Sequence, residues 1–244
     1  MVVLDGIKIN ENLLRRIVRC VDKAVADDVP QYLREHYKET NNAVAHLRGD
    51  FINDNLKNLV VSGDIELLPF NRSSWQGRII VDHGEKVTYT VTTQQTLRSI
   101  PKKQRNKPHY LHTLLYKENG EYEGEGKQLT LMDMYPFEIE DLERDYETIV
   151  NGRISPEDGY VHYVIAYESQ NSELIDIQLE FLDKDFNTIT TASLNEHIKP
   201  DFARLTDVEL VDEGFDDNIE AEEEGLVSIK PGLRPKLKKG QKQA

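Results

Sequence analysis

The spacing of apolar residues changes near Gly63, and this change does most to restrict the folds open to the chain. Before it, apolar residues recur at helical spacing, as Leu13, Ile17 and Val21 do. After it, apolar and polar residues alternate, as they do from 87 to 92, which is typical of a strand with two different faces. The sequence therefore predicts an α+β protein, with an N-terminal helical part packed on antiparallel sheets.

The N-terminal part is expected to hold three helices. The first spans 10–26 with Asn10 as its N-cap, the second follows Pro30, and the third spans 42–61 with Gly63 just past its end. Cys20 lies in the apolar stripe of the first helix, which predicts a small buried side chain rather than a reactive thiol.

Strands are expected in two antiparallel sheets. The first is built from residues 65–92, where threonines alternate with apolar residues and leave one face polar. The second is built from residues 127–191. The helices predicted around these strands lie at 94–99, after Pro108 and, as an acidic and solvated helix, at 138–147.

The end of the chain differs in composition from the rest. Residues 212–224 carry acidic groups without a basic one, and residues 225–244 carry basic groups without an acidic one. Blocks of like charge with few apolar residues do not fold alone. We therefore expect one domain at 1–211, with a seam at 120–126, and a disordered tail at 212–244.

Charge and cysteine content exclude several classes of function. The net charge of −14 makes the whole surface a poor binder of polyanions and anionic membranes. Cys20 is the only cysteine, which rules out an intramolecular disulfide and a cysteine-based zinc site. The sequence has no run of apolar residues that could span a membrane and no signal-peptide pattern at its N-terminus. These features predict a cytoplasmic protein without membrane contact or a cofactor.

One segment runs against the acidic composition. No acidic residue occurs between Arg98 and Lys117, and the strands before this segment contain arginines beside the only tryptophan. Cations next to an aromatic ring suit phosphate contact with base stacking. The residues predicted to bind nucleic acid or a protein partner are Arg72, Trp75, Arg78, Lys102, Lys103, Arg105, Lys107 and His109. The simpler interpretations are that the loop is solvated or pairs with the acidic segments, and that Trp75 is a core residue.

Weaker patterns allow a metal site. Glu66 and Asp82 lie on adjacent predicted strands, as the carboxylates of a Mg²⁺-dependent nuclease do, but the usual acid-x-lysine spacing is missing. Asp82 is better explained as a turn residue. His109 and His112 are three residues apart on a predicted helix, without a third ligand at a recognisable spacing. We therefore predict no metal, with these four residues as the candidates.

The stretch from Arg48 to Tyr116 resembles a group of uncharacterised bacterial proteins of similar length. The resemblance rests on the strings Phe70 to Arg78, Tyr89-Thr90, Ile100 to Lys103 and Pro108 to Leu111. Such proteins are met near mobile genetic elements and small helix-turn-helix regulators. The resemblance implies a bacterial or prophage origin and a defence or toxin–antitoxin setting, and it supplies no catalytic residues.

Three functions follow as hypotheses. The first is a non-enzymatic binding protein. It contacts a protein partner, or it contacts nucleic acid through the basic loop, which Pro101 and Pro108 bracket. The second is a metal-dependent enzyme that processes nucleic acid, with Glu66 and Asp82 at the metal. The third is an acidic protein that imitates nucleic acid and occupies a basic partner.

Overall fold

The computed structural model describes residues 2–4, 6–36, 39–40, 42–72, 75–103, 106–124 and 137–198. The strand predicted at 127–134 falls outside this part of the chain, as does the charged tail predicted at 212–244. Within these ranges, no helix is long and apolar enough to cross a membrane.

The elements follow the predicted order closely. The helices are α1 (Glu11–Lys23), α2 (Val29–Glu35), α3 (Val44–Leu59), α4 (Gln94–Ser99), α5 (Tyr110–Glu118) and α6 (Ile139–Val150). The strands are β1 (Val2–Leu4), β2 (Ile7–Ile9), β3 (Ile65–Arg72), β4 (Trp75–Asp82), β5 (Val87–Thr93), β6 (Val161–Gln170), β7 (Glu173–Leu182) and β8 (Thr188–Ser193). The short β1–β2 pair was not predicted, because strands of three residues carry almost no periodicity.

One six-stranded sheet, in the order β3-β4-β5-β6-β7-β8, replaces the two sheets expected from the sequence. Each neighbouring pair is antiparallel except β5 and β6, which run parallel from Val87 opposite Val161 to Thr93 opposite Tyr167. This parallel pair joins two antiparallel halves. The α+β class is confirmed, and the separation into two sheets is wrong.

The N-terminal helices cover one face of the sheet, as predicted. The Asn10 side chain caps α1 by accepting a hydrogen bond from Leu13 N at 3.2 Å. Buried residues of α1 and α3 form one core with Tyr89, Tyr163 and Phe181 of the sheet. Cys20 belongs to this core, so its predicted buried position is confirmed, and burial raises the pKa of its thiol to about 12.

The opposite face of the sheet is covered by α4, α5 and α6, a second helical layer. Thr88 and Thr90 are therefore buried, so the polar face predicted for this strand lies against helices. The acidic α6 is also not simply solvated, because Leu142 and Tyr146 are buried in or beside the core of this layer. The helices in the connection from β5 to β6 fold back onto the sheet, as a crossover between parallel strands requires.

The sheet opens between β4 and β5. These strands pair only over Ile80–Asp82 and Val87–Tyr89, whereas β4 begins at Trp75 and β5 continues alongside β6 to Thr93. The β3–β4 hairpin therefore separates from the rest of the sheet beyond Ile80. The gap that results lies beside α3.

Candidate functional site

A cavity of about 140 Å³ lies in the gap between β4 and β5, and we call it the cleft. Its walls come from five parts of the chain: α3, the β3–β4 hairpin, the β5–α4 junction, the start of α5 and Tyr167 of β6. The residues that the argument uses are His46, Gly49, Asp50, Arg72, Trp75, Gly77, Arg78, Thr96, His109 and Tyr110. Four of the predicted binding residues, Arg72, Trp75, Arg78 and His109, thus line one cavity.

Arg72 fixes the wall of the cleft rather than offering a free charge. Its guanidinium donates to the Pro108 carbonyl at 2.6 Å and to the Asp145 carboxylate at 2.5 Å. The arginine and aspartate side chains are both mostly buried, at 18% and 21% exposure. The ion pair with Asp145 joins β3 to α6, and the hydrogen bond to Pro108 joins β3 to the residue before His109. Arg72 therefore positions the end of the basic loop.

Trp75 is 37% exposed, so it is neither a core residue nor a free platform. Its indole stacks on Tyr110, with ring centroids 5.4 Å apart and planes 18° from parallel. Phe70 meets the indole edge-on at 5.5 Å. These contacts hold the ring in one orientation at the wall of the cleft.

Gly77 makes this aromatic cluster possible. A Cβ at this position would lie 2.4 Å from Phe70 Cζ and 2.6 Å from Trp75 Cη2. Phe70 lies directly opposite Gly77 in the β3–β4 register, so its ring crosses the space that a side chain would fill. The sequence analysis did not predict this packing, because nothing in the sequence shows which rings meet.

Replacing Gly77 by alanine is expected to lower the free energy of unfolding by about 1–3 kcal/mol, because the two rings must move. Gly49→Ala is the matched control, since a Cβ there meets no atom within 4 Å. Because glycine disfavours a helix interior, this control is expected to gain roughly 0.5–1 kcal/mol. Urea unfolding followed by tryptophan fluorescence measures both. Equal stability of Gly77→Ala and wild type, with unchanged emission, would show that the cluster does not depend on Gly77.

Arg78 and His109 offer different chemistry to the cleft. Arg78 donates to the neighbouring Gly77 carbonyl at 2.9 Å and makes no ion pair within the described ranges. His109 is the N-cap of α5, where its Nδ1 accepts a hydrogen bond from Leu111 N at 3.2 Å. Its ring packs on Tyr110 with centroids 4.2 Å apart. Arg78 is therefore the cation available to a ligand, and His109 shapes the wall.

The basic loop leaves and returns at the cleft. It follows α4, which contributes Thr96 to the lining, and it ends at His109. Lys102 and Lys107 are exposed and Lys103 is half-buried, whereas Arg105 lies outside the described residues. The acidic groups of α6 pair with other cations: Asp145 with Arg72, Glu143 with Lys117 and Asp141 with Arg144.

The α3 wall was not predicted from the sequence. It brings His46, Gly49, Asp50 and Asn53 to the cleft. Asp50 is exposed, and its carboxylate makes no hydrogen bond with other described residues. Partial burial and the nearby charge of Asp54 raise the pKa of Asp50, and His46 opposes the rise. Gly49, a glycine inside the α3 helix, was the one signal in the sequence that pointed to this wall.

The weak metal candidates do not come together. Glu66 lies opposite Val81 in the β3–β4 register and Asp82 opposite Ile65, so the two carboxylates point to opposite faces of the sheet. Asp82 Oδ1 accepts hydrogen bonds from the backbone of the following turn, at 3.0 Å from Gly84 N. Glu66 meets His83 at 3.1 Å and Arg153 at 3.6 Å.

The two histidine candidates are likewise held in separate environments. His112 lies against the rings of Phe137 and Phe186, at 5.1 and 4.8 Å between centroids, whereas His109 caps α5. Across the described ranges, no three histidine, cysteine or acidic residues cluster in a way that could hold a metal ion.

A buried polar cluster lies under the second helical layer, away from the cleft. The Glu118 carboxylate accepts hydrogen bonds from Thr88 and from Tyr146, the latter at 3.1 Å. His162 contacts Thr88 through Nδ1 at 2.7 Å and Thr90 through Nε2 at 3.0 Å. Burial raises the pKa of Glu118 to about 7 and lowers the pKa of His162 to about 3. Because these groups are sealed from solvent, they bear on stability rather than on ligand binding.

Comparison with known protein families places the chain in one of them. A model described as a family of unknown function, DUF5986, matches residues 6–244. No curated protein and no solved structure matches the chain.

Proposed function

We propose that this chain, which belongs to the DUF5986 family of unknown function, binds single-stranded nucleic acid through the cleft between β4 and β5. One base would enter the cleft beside Trp75, and the strand would continue along the basic loop. As the sequence resemblance implied, the proposal includes a bacterial defence or toxin–antitoxin setting.

The convergence of two chain segments on one cavity carries this proposal. Trp75 and Arg78 come from β4, and His109 from the end of the basic loop, yet all three line the cleft. An aromatic ring with adjacent cations is the arrangement that single-strand binding uses, and stacking contributes about 1–3 kcal/mol per base. A cavity of roughly 150 Å³ holds a single benzene-sized ring. The cleft, at about 140 Å³, therefore has room for the six-membered ring of one base.

The acidic composition of the chain favours binding of single strands over duplexes. At physiological ionic strength, charges are screened beyond about 8 Å, so a local basic loop acts on a strand that touches it. A duplex keeps its bases stacked inside and presents rigid rows of phosphates to a protein of net charge −14. We therefore expect single strands to bind and duplexes of the same sequence to bind weakly.

The nuclease alternative has less support. It needs Glu66 and Asp82 at one metal ion, and the register directs the two carboxylates to opposite faces. Neither carboxylate lines the cleft.

Fluorescence anisotropy with labelled oligothymidylate and oligouridylate tests the proposal. Replacing Lys102, Lys103 and Lys107 by alanine is expected to weaken binding about tenfold at low salt, because up to three phosphate contacts are lost. The slope of log affinity against log salt should become shallower by about 2, at roughly 0.7 per phosphate.

The matched control replaces three exposed basic residues on other surfaces, Lys57, Arg144 and Arg153, by alanine. It changes net charge equally and should leave most of the affinity. Equal binding by the loop variant and wild type would remove the loop from the interface. Flat curves for the wild type on each probe would contradict nucleic-acid binding and favour a protein partner.

A further inference from the structure

We infer that the base held in the cleft is guanine, and that Asp50 selects it. The inference rests on the proposed function. The observation behind the inference is that two groups of opposite charge line one small cavity. Asp50 on the α3 wall is a hydrogen-bond acceptor, and Arg78 on the β4 wall is a cation.

Asp50 brings a pair of acceptors without partners of their own. Ionised carboxylates only accept hydrogen bonds, and the Asp50 side chain makes none with the residues that the structure describes. The preceding Gly49 leaves open space beside it, since a Cβ there would meet nothing within 4 Å. A planar group can therefore approach this turn of α3 closely.

Guanine is the base whose edge matches a carboxylate. Its N1–H and N2–H donors lie side by side, so the two carboxylate oxygens can accept both in a bidentate arrangement. Adenine and cytosine offer one exocyclic amino group on the same edge. Thymine and uracil offer one N–H between two carbonyl oxygens, which repel a carboxylate.

Arg78 completes the match at the other end of the ligand. It lies on β4, one residue beyond Gly77, and its charge is not balanced by an ion pair among the described residues. A nucleotide carries donors on its base and negative charge on its phosphate, so it can meet Asp50 and Arg78 together. A ligand with an acceptor edge, such as uracil, satisfies only the arginine.

The test uses labelled heptamers of thymidine whose central position is dG, dA, dC, dT or abasic. Wild-type protein is expected to bind the dG heptamer about tenfold more tightly than the others, the usual size of one bidentate contact. Because Trp75 is the only tryptophan, its fluorescence reports entry of the base into the cleft. GMP should compete better than AMP.

The variant Asp50→Asn is expected to reduce the dG preference to less than about threefold, because one acceptor becomes a donor. Its loss of negative charge can strengthen binding of all heptamers, so the preference ratio is the measured quantity. Asp54→Asn is the matched control, since Asp54 is one turn away on the same helix and does not line the cleft. It should keep the preference.

The outcomes separate the two proposals. Equal affinity for all five heptamers, or an unchanged dG preference in Asp50→Asn, overturns the selection of guanine and leaves single-strand binding intact. No binding of any heptamer overturns both. A dG heptamer that binds no more tightly than GMP contradicts strand binding and supports the selection of a free guanine nucleotide.

Discussion

Replacing Asn119 by alanine is expected to lower the free energy of unfolding by roughly 3–5 kcal/mol. The Asn119 side chain is fully buried and joins three backbone groups of two neighbouring strands. It donates to the carbonyls of His162 and Leu182 at 2.8 and 2.7 Å, and it accepts from His162 N at 2.8 Å. Alanine would leave all three groups without a partner, and each such buried group costs about 1–3 kcal/mol.

Asn195 provides a matched control for this measurement. Its side chain also joins neighbouring groups, accepting from Ile177 N at 2.8 Å and donating to Asp176 at 2.7 Å, but it is exposed. Water can replace the exposed bond to Asp176, and only Ile177 N loses a buried partner, so Asn195→Ala should cost about 1–3 kcal/mol, less than Asn119→Ala. Urea unfolding of both variants gives the comparison. A loss below about 1 kcal/mol in Asn119→Ala would show that water reaches the three backbone groups.

The helices and strands could be predicted because their signals are local. Asn10 as a cap, the alternation along β7 and the stop after α5 each depend on residues a few positions apart. The parallel pairing of β5 with β6 could not be predicted this way. It joins Val87 to Val161 across a connection whose described part includes α4, α5 and α6, and no local pattern encodes which strands meet.

Two walls of the cleft contain residues that were predicted from the sequence: the β3–β4 hairpin and the start of α5. Trp75 and Arg78 stood out because the only tryptophan lies beside arginines, and His109 because it lies in a stretch without acidic residues. Asp50 is one of many acidic residues, and only the packing of α3 beside β4 brings it to the cleft. Composition can mark unusual residues, but it cannot mark a common residue in an unusual place.

The buried cluster shows the same limit. The threonines of β5 indicated a polar face, and the polar face of an antiparallel sheet commonly contacts solvent. The structure instead covers this face with α5, so that Thr88 contacts Glu118 and His162 inside the protein. Buried polar groups persist when they are hydrogen-bonded to one another. Titration of this cluster should therefore be visible in stability.

Glu118 and His162 act on stability in opposite directions as pH changes. The pKa of Glu118 is raised from 4.5 to about 7 by burial, so its contribution is complete below pH 4.5 and is lost as pH rises to about 7. The pKa of His162 is lowered from 6.5 to about 3 by burial, so its contribution is complete above pH 6.5 and is lost as pH falls to about 3. Between pH 4.5 and 6.5 the two slopes cancel.

The variant Glu118→Gln isolates the first of these effects, because glutamine keeps the shape and does not titrate. Relative to this variant, wild type is expected to lose about 3 kcal/mol of unfolding free energy between pH 4.5 and 7, at 1.36 kcal/mol per pKa unit. Glu147→Gln, an exposed position on the same helix as Tyr146, should run parallel to wild type. Urea unfolding at half-unit pH steps measures the three curves. A constant difference between Glu118→Gln and wild type over this range would mean that folding leaves the Glu118 pKa unchanged, and that the carboxylate is as well solvated by its hydrogen bonds as by water.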